Sequence, residues 1–472
     1  MESPEWECWE AAEKTEMGGL ISKGVWTQCP RPKGKVVLGT KRLYSRKIGE
    51  RGEVVKHKCR FVAQGFRQIK GLHYEESSSP TPAAASIRMA LATAAVMDME
   101  LRHIDFEQAY LLADVDTEIY IELPEEYREF PDAVGKLNKA IYGLVQAGRC
   151  WNMRLTNDLK TLGFEQSRAD PCVFRKFVAG KMEAILVVHV DDLLALTVTK
   201  EAMETFVGEL RSTFKIKDLG EASYYMGCHI TRDRAKKELK FDQHLYARTI
   251  TERFGIDKTA MVPATAGVKP LAVRTVAKFC ENPGMAHWKA VVKILQYVRR
   301  TPKRGITYGG DGNGRTVMRA FVDSDHATCL DTRRSTSGGA VLLGGGAISW
   351  FSRAQATTAE GTSEAEYVAM SEIVKEVLFL RQVQAFIMPA LESNPVDIVE
   401  DNQGAIKMAN NRHSSKRTRH IDIKHHLIRD AVDEGKVRVT YVKTEDQHAD
   451  VLTKPLDRRM FEKHVNALMN VG

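Results

Sequence analysis

Apolar, β-branched and aromatic residues are concentrated in two segments early in the chain, as is typical of β-strands. The pattern covers residues 36–44 and 53–66, and the intervening segment with two glycines predicts that they form a hairpin. A helical spacing of apolar residues follows over 83–99, and residues 101–106 form a short strand pattern. Residues 172–178 and 182–190 predict a second hairpin whose apolar pattern ends abruptly at two adjacent acids. This end of the hairpin is the first feature that points to chemistry.

The middle and last parts of the chain show a different order of elements. Helical patterns at residues 201–214, 246–254 and 285–300 surround a Pro- and Gly-containing segment, 263–270, that is typical of a linker. From residue 315 three strand patterns are followed by alternating helices and strands, which predicts a self-contained α/β domain. Its predicted strands are 317–322, 339–343, 347–351, 396–399 and 436–442, and its helices are 362–386, 403–410 and 422–434.

Length and composition indicate a folded chain of several domains. The chain has 472 residues, of which 43% are hydrophobic and 28% charged, and one domain takes roughly 150 residues. The longest apolar runs are shorter than the ~18 residues that span a bilayer, and Met1 opens an acidic stretch rather than a signal peptide. The eight cysteines form no Cys-x-x-Cys pair, so we expect core thiols in a reducing, intracellular compartment and no membrane association.

Positive charge is concentrated in two segments. Residues 23–70 carry 14 Lys and Arg against two acids, and residues 407–429 carry seven against one, although the whole chain has a net charge of only +8. Two basic stripes on an otherwise acidic chain favour a polyanion that is bound at two places. Two solvated protein faces are the alternative, and charge alone does not choose between them. The first 20 residues are acidic and predict a helix, whose packing partner we expect to lie outside the chain.

Carboxylates at the ends of predicted strands indicate a metal site in the first half. Asp105 ends one strand, and Asp191 and Asp192 follow the apolar strand of the second hairpin. Successive residues of a strand point to opposite faces, so in a regular strand only one of Asp191 and Asp192 can share a face with Asp105. A turn between the two would remove this restriction. Clustered carboxylates repel one another unless a cation neutralises them. Mg²⁺ suits such a cluster, and two ions support phosphoryl transfer.

The second half repeats this arrangement with wider spacing. Four separate elements each supply an acid, as a two-metal phosphodiester hydrolase requires. Two positions offer a choice at this stage, because Asp323 and Asp325 end the same strand and Glu364 and Glu366 share a helix. The candidates are Asp323, Asp325, Glu364, Glu366, Asp401 and Asp450.

Ordered motifs make the first half resemble the reverse transcriptase domain of copia-type retrotransposon polyproteins. They are KCRFVAQGF (58–66), SPT (79–81), HIDFEQAYL (103–111), IYGLVQA (141–147), VDD (190–192) and FKIKDLGE (214–221). The resemblance continues into the ribonuclease H domain of that family and covers about nine-tenths of the chain. The motifs there are DTRRSTSG (331–338), AISW (347–350), SEAEY (363–367), DNQ (401–403), RTRHID (417–422) and HADVLTK (448–454).

The resemblance implies an α/β and α+β multidomain fold, with right-hand polymerase palm and fingers followed by a ribonuclease H-like α/β domain. We expect five segments: an acidic lead-in (1–20), fingers and palm (21–262), a shortened thumb and connection (263–314), the ribonuclease H-like domain (315–455) and a C-terminal tail (456–472). The implied activity is RNA-directed DNA polymerase with ribonuclease H. Its partners would be RNA template, DNA primer, RNA–DNA hybrid and dNTPs, and its location the cytoplasm, in a virus-like particle, with entry into the nucleus.

The resemblance also assigns residues. Asp105, Asp191 and Asp192 match the catalytic metal ligands of the polymerase, and Asp323, Glu366, Asp401 and Asp450 match those of ribonuclease H, with two Mg²⁺ per site and Mn²⁺ as a substitute. Three residues would bind substrate: Arg60 the triphosphate, Tyr110 the sugar, from which it excludes a 2′-hydroxyl, and Gln146 the nucleotide pocket.

Two departures from the family pattern bear on activity. His189 replaces the usual tyrosine before VDD, and several tens of residues are absent near 267–276. The absent residues build much of the thumb and connection in the family. An inactive nucleic-acid-binding remnant is therefore the alternative to an enzyme. The loop residue His448 could assist product release or proton transfer, and a solvated loop histidine is its simpler interpretation.

Overall fold

A computed structural model describes residues 5–48, 53–264, 276–309, 316–329, 331–391, 395–410 and 422–471. Its elements confirm a mixed α/β architecture. The helices are α1 (Trp6–Ser22), α2 (Ala84–Val96), α3 (Ala147–Thr161), α4 (Lys200–Thr213), α5 (His244–Arg253), α6 (Met285–Arg300), α7 (Thr362–Ile387), α8 (Gln403–Asn410), α9 (Asp422–Asp433), α10 (Asp450–Thr453) and α11 (Arg458–Met469).

Twenty-one strands of the described residues form five sheets. Two sheets belong to the N-terminal region and have the orders β1-β7-β6-β2 and β3-β4. Their strands are β1 (Trp26–Pro30), β2 (Val37–Leu38), β3 (Thr40–Ile48), β4 (Val54–Ala63), β6 (Tyr120–Glu122) and β7 (Ala133–Leu137). A six-stranded sheet, β12-β5-β11-β10-β9-β8, follows. It contains β5 (Glu100–Phe106), β8 (Glu165–Gln166), β9 (Val173–Val178), β10 (Lys181–His189), β11 (Asp192–Thr197) and β12 (Ile216–Glu221).

The remaining two sheets lie in the second half. The first has the order β13-β14-β15-β16, with β13 (Tyr224–Tyr225), β14 (Cys228–Asp233), β15 (Glu238–Asp242) and β16 (Ile306–Gly309). The second has the order β19-β18-β17-β20-β21, with β17 (Arg319–Asp325), β18 (Thr336–Leu343), β19 (Gly346–Ala354), β20 (Val396–Glu400) and β21 (Val437–Tyr441). In this last sheet β17 runs antiparallel to β18 and parallel to β20.

Helix α1 packs on the β3–β4 hairpin, which corrects the expectation that its partner lies outside the chain. Trp9 contacts Tyr44 edge to face, with ring centroids 5.6 Å apart. Arg42 Nε lies 2.9 Å from Glu13 Oε1 of α1. Arg46 Nη2 lies 2.7 Å from Oε2 of Glu5, the residue directly before this helix. The acidic lead-in therefore neutralises part of the first basic stripe.

The six-stranded sheet is covered on both faces, because residues 184–188 of β10 and 193–196 of β11 are apolar at every position. Leu186 and Leu193 face a core that includes Trp151 of α3. Val187 and Leu194, one position further along the same strands, face the opposite core. That second core contains α2 and continues without a break into the C-terminal sheet and α7.

The polymerase-like and C-terminal parts are therefore joined by packing. Arg88 of α2 places its guanidinium carbon 4.1 Å from the ring centroid of Trp350 on β19. Its Nε donates a hydrogen bond of 2.7 Å to the carbonyl of Ile348. Tyr308 of β16 donates a bond of 2.9 Å to the carbonyl of Ala347. The two halves share one hydrophobic core across this contact.

Several sequence expectations need correction or fall outside the described residues. Residues 456–472, expected as a tail, include α11, and Asn470 Nδ2 donates to the carbonyl of Thr307 at 3.0 Å. Only four of the eight cysteines are buried, whereas Cys8 and Cys280 are exposed. Residues 265–275 and 310–314 of the shortened thumb and connection, and the center of the second basic stripe (411–421), lie outside the described residues. In the part of the chain that the structure describes, no helix is long and apolar enough to cross a membrane.

Candidate active sites and their carboxylates

A tight hairpin brings the first set of carboxylates to one end of the six-stranded sheet. Strands β10 and β11 pair His189 with Asp192, so only Val190 and Asp191 form the turn. The φ of Val190 is +58°, a conformation that a β-branched residue rarely adopts. The Trp151 indole donates a 2.7 Å hydrogen bond to the Val190 carbonyl and fixes the turn. Backbone strain of this kind is concentrated at functional sites.

The register of β11 against β5 then aligns the acids. Asp192 lies directly opposite Asp105, so both side chains leave the same face of the sheet. The backbone N–H of Phe106 donates to the Asp191 carbonyl at 2.9 Å, which holds the turn beside the end of β5. Because Asp191 is in the turn, the alternation of a regular strand does not separate it from Asp105.

Electrostatics at this end of the sheet favour a bound cation. Burial raises the pKa of Asp105, and the charges of Asp191 and Asp192 raise it further. Asp192 Oδ1 lies 2.9 Å from His103 Nε2, a partner that the sequence did not reveal. A cation would relieve the repulsion that raises the Asp105 pKa, and carboxylate oxygens are the ligands that Mg²⁺ prefers.

A cleft of about 930 Å³ runs past Asp105 and Asp191. One wall is α1 and the β3–β4 hairpin. The basic residues on its lining are Lys47, Lys56, Lys58, Arg60, Lys215 and Lys217. The last two precede or belong to β12 and lie outside the basic stripe seen in the sequence. The cleft thus combines Asp105 and Asp191 with six cationic side chains, and Asp192 is not on its lining.

Arg60 and Tyr110 meet in a smaller pocket of about 250 Å³ beside Asp191. The guanidinium carbon of Arg60 lies 4.5 Å from the ring centroid of Tyr142. The rings of Tyr110 and Tyr142 have centroids 4.9 Å apart. Tyr142, which sequence reasoning did not single out, therefore positions Arg60 and Tyr110, two of the three predicted substrate-binding residues.

Gln146 does not line this pocket, and its side chain is fully buried. Its Oε1 accepts a 2.9 Å hydrogen bond from Gln68, and its Nε2 donates to the His73 carbonyl at 2.8 Å. Nε2 also lies 3.2 Å from Thr117 Oγ1. These contacts are structural, so the predicted contact of Gln146 with a nucleotide stays a prediction.

The second set of carboxylates converges at the ends of two parallel strands. Asp323 is on β17, Asp401 directly follows β20, and Glu366 is in the second turn of α7. One carboxylate oxygen from each of these three lies within 4.8 Å of the others. Asp450, the first residue of α10, joins them through Lys454, whose Nζ is 2.9 Å from Asp450 Oδ1 and 3.7 Å from Asp323 Oδ1.

Burial makes the ionised form of these carboxylates costly. It raises the pKa of Glu366 to about 10, and the charges of Glu400 and Asp323 add to the effect. Burial likewise raises the pKa of Asp323 and brings that of Asp450 to about 7. Glu366 Oε2 is buried and accepts no hydrogen bond from the described residues. Lys454 neutralises part of the charge, and this donor set fits divalent cations.

The acids that the family match left aside have other contacts. Asp325 accepts hydrogen bonds from the Thr336 backbone and the Thr328 hydroxyl. Glu364 accepts a 2.8 Å bond from the Glu360 backbone N–H just before α7. The carboxylates of Asp325 and Glu364 therefore stabilise the local backbone through hydrogen bonds.

Two residues near the second cluster differ from the sequence interpretation. Glu400, which sequence reasoning missed, is fully buried beside Asp401, and burial raises its pKa well above the usual range. Its position directly before a candidate ligand was the available indication. His448 is not a solvated loop residue: its Nδ1 lies 3.0 Å from that of His464, and its ring packs on Phe321 with centroids 4.7 Å apart.

Comparison with known proteins identifies relatives of this chain. Residues 23–266 match the family model described as reverse transcriptase (RNA-dependent DNA polymerase). The chain is 33% identical, over 96% of its length, to the retrovirus-related Pol polyprotein from transposon TNT 1-94 of Nicotiana tabacum and covers 37% of that protein. It is 30% identical, over 98% of its length, to the Pol polyprotein from transposon RE1 of Arabidopsis thaliana and covers 34% of it.

The chain thus spans about a third of the length of these curated relatives. Among solved structures, the foamy viral protease-reverse transcriptase in complex with dsDNA aligns with 93% of this chain and 83% of its own, at 10% identity and a TM-score of 0.48. The family match covers more than half of the chain, and it coincides with the Asp105 cluster and its cleft. The chain therefore belongs to the reverse transcriptase family, in the branch carried by copia-type retrotransposons.

Proposed function

We propose that this chain is an RNA-directed DNA polymerase that also cleaves the RNA strand of an RNA–DNA hybrid. The observation that carries the polymerase proposal is the cluster of Asp105, Asp191 and Asp192 at the end of a buried hairpin. It opens onto a cleft lined by six Lys and Arg residues. This combination suits a polyanionic primer–template and a nucleoside triphosphate.

Each group around the first cluster has a chemical task in this proposal. Asp105, Asp191 and Asp192 hold divalent cations, for which we propose Mg²⁺ with Mn²⁺ as a substitute. When bound, two such ions activate the primer 3′-hydroxyl and neutralise charge on the triphosphate. Arg60, fixed on the Tyr142 ring, binds phosphate oxygens through its planar guanidinium. Tyr110 contacts the sugar of the incoming dNTP.

The basic residues of the cleft bind the sugar–phosphate backbone without reading its sequence. Neutralising phosphates in this way releases counterions, so affinity for primer–template should fall steeply with salt. Ion pairs within the chain, such as Arg31 with Glu122 at 2.7 Å, remove part of the stripe at 23–70 from this task. Lys58 and Arg60 remain on the lining.

The second cluster supports the ribonuclease H proposal. Asp323, Glu366 and Asp401 converge within 4.8 Å, and Asp450 lies beside them through Lys454. We propose that the four carboxylates hold two Mg²⁺ ions against the RNA strand of a hybrid. Bound ions supply an activated water and stabilise the leaving oxygen. The protein orients the ions and keeps the cluster buried.

Primer extension tests the polymerase proposal. We expect the purified chain with Mg²⁺ to extend oligo(dT) on poly(rA), and Asp191→Asn to lower the rate by at least about 10³-fold, because an amide cannot neutralise a cation. Asp257→Asn, at an exposed aspartate outside the cleft, is the matched control and should extend normally. If the wild-type chain binds primer–template but leaves the primer unextended, the binding-remnant alternative is supported instead.

A hybrid-cleavage assay tests the second activity separately. A labelled RNA strand annealed to DNA should be cut in the presence of Mg²⁺, and Asp323→Asn should abolish cutting. Asp430→Asn, at an exposed position of α9, should cut like the wild type. An intact RNA strand with wild-type protein would exclude ribonuclease H activity and leave the polymerase result unaffected.

A further inference from the structure

A third cluster of metal-binding side chains lies outside both carboxylate sites. Strands β14 and β15 pair His229 directly with Asp242, so both side chains leave the same face of the hairpin. The chain turns after Asp242, and His244 is the first residue of α5. One donor atom from each of the three side chains lies within 4.8 Å of the other two.

The carboxylate at the center of this cluster is buried. Asp242 is only 6% exposed. Its Oδ1 lies 3.0 Å from the backbone N–H nitrogen of His244 and 2.6 Å from His244 Nδ1. Its Oδ2 lies 4.0 Å from the Lys240 ammonium, which is beyond hydrogen-bond distance. Burying an ionised carboxylate is costly without a close counter-charge, and a cation between Oδ2 and the imidazoles would supply one.

The contact between Asp242 and His244 resembles an ordinary turn in which an aspartate accepts from the backbone two residues later. That turn does not require His229. Yet the His229 ring lies 5.0 Å from the His244 ring, centroid to centroid, at an interplanar angle of 78°. The turn thus does not account for the second imidazole, whose Nδ1 lies 3.2 Å from the Thr231 hydroxyl and whose ring faces that of His244.

Donor chemistry selects the metal. Two imidazoles and one carboxylate are a set that binds Zn²⁺, whereas Mg²⁺ prefers oxygen ligands. We propose that His229, Asp242 and His244 bind one Zn²⁺ ion, which fastens the start of α5 to the β14–β15 hairpin and leaves a fourth position for water. Bonds of about 2.0–2.1 Å to one ion require the donors to adjust. Asp242 Oδ1 and His244 Nδ1, now 2.6 Å apart, must separate if both bind, and the more distant donors must approach. Both histidines are partly exposed, with 17% of the His244 side chain accessible, so water can reach the site.

Metal binding to the full chain tests this proposal independently of either catalytic activity. Chain stripped with EDTA is titrated with Zn²⁺ in millimolar Mg²⁺, which occupies the carboxylate sites, and bound zinc is measured by equilibrium dialysis. We expect one tight Zn²⁺ per chain. His229→Asn and His244→Asn should each weaken its affinity at least about tenfold, because each removes a ligand. Co²⁺ in place of Zn²⁺ should give the visible absorption of a tetrahedral site.

Two further variants make the outcome decisive. His287→Asn removes a histidine of α6 that stacks on Phe279 and has no place in the cluster, so zinc binding should be unchanged. Lys240→Met removes a competing positive charge and should tighten the affinity. Far-UV circular dichroism in EDTA verifies that each variant is folded. If His229→Asn is not folded, His229→Gln takes its place. Zinc binding that is absent from the wild type, or that survives both His→Asn substitutions, would overturn the proposal.

Discussion

The substitution Glu366→Gln isolates the electrostatic cost of the second carboxylate cluster. Glu366 is 7% exposed, and burial together with Glu400 and Asp323 raises its pKa from 4.5 to about 10. In the unfolded chain the same carboxyl ionises near 4.5. Between these two values the folded state binds more protons than the unfolded state, so the stability of the metal-free protein must fall as pH rises.

The expected magnitude follows from proton linkage. One proton contributes about 1.36 kcal/mol per pH unit, so going from pH 5 to pH 8 costs up to about 4 kcal/mol. Glutamine has the same shape and does not ionise. We therefore expect Glu366→Gln to stabilise the metal-free chain at pH 8 by about 2–4 kcal/mol and to change little at pH 5. Mg²⁺ should reverse the order, because it stabilises the wild-type carboxylate and not the amide.

Urea unfolding in EDTA at pH 5 and pH 8, followed by circular dichroism, measures this effect, and hydrogen exchange of α7 peptides localises it. Glu364→Gln is the matched control, since it makes the same chemical change two residues away, outside the cluster. A wild-type stability that does not depend on pH between 5 and 8 would refute the reasoning. A Glu366→Gln variant that is less stable than the wild type at pH 8 in EDTA would refute it equally.

Three further substitutions and one control variant probe other contacts. Arg88→Ala, which removes the guanidinium stacked on Trp350, should cost about 2–4 kcal/mol and split thermal unfolding into two calorimetric transitions; a single unchanged transition would show that the contact does not couple the two halves. Arg60→Ala should raise the KM for dNTP at least about tenfold in primer extension, and Tyr142→Phe, which keeps the ring, should not. Lys454→Met should destabilise the metal-free protein by about 1–3 kcal/mol at pH 8 and less at pH 5, and its equality with the wild type in EDTA would contradict a charge-neutralising role.

The sequence predicted the elements that carry long apolar patterns. Helix α7 and the β9–β10 hairpin lie within a residue or two of the predicted ranges, because their patterns are long and their ends are marked by turn residues. Strands β13 to β15 were not predicted, since they are short and rich in charged residues. The cluster of His229, Asp242 and His244 was missed for that reason, because only the register of β14 and β15 brings it together.

Tertiary contacts explain the other differences. Acidity suggested that α1 was without a partner, but Arg42 and Arg46 of the hairpin supply its counter-charges. Gln146 followed a family motif, yet whether an amide faces a pocket or a buried network depends on Gln68 and His73, which lie more than seventy residues away. Lys454 stood in a motif that predicted Asp450, and its own role became visible only when both lay beside Asp323.

The continuous core between α2 and the C-terminal sheet also bears on how the two proposed reactions would be coordinated. A flexible linker between the two parts would let each site bind the nucleic acid independently of the other. Here Arg88 and Trp350 set the separation through side-chain packing, so a duplex leaving the first site would meet the second at a fixed number of base pairs. RNA fragments cut during synthesis should then have a narrow length distribution. Cavity-forming substitutions in this packing would broaden that distribution while leaving both sets of carboxylates intact.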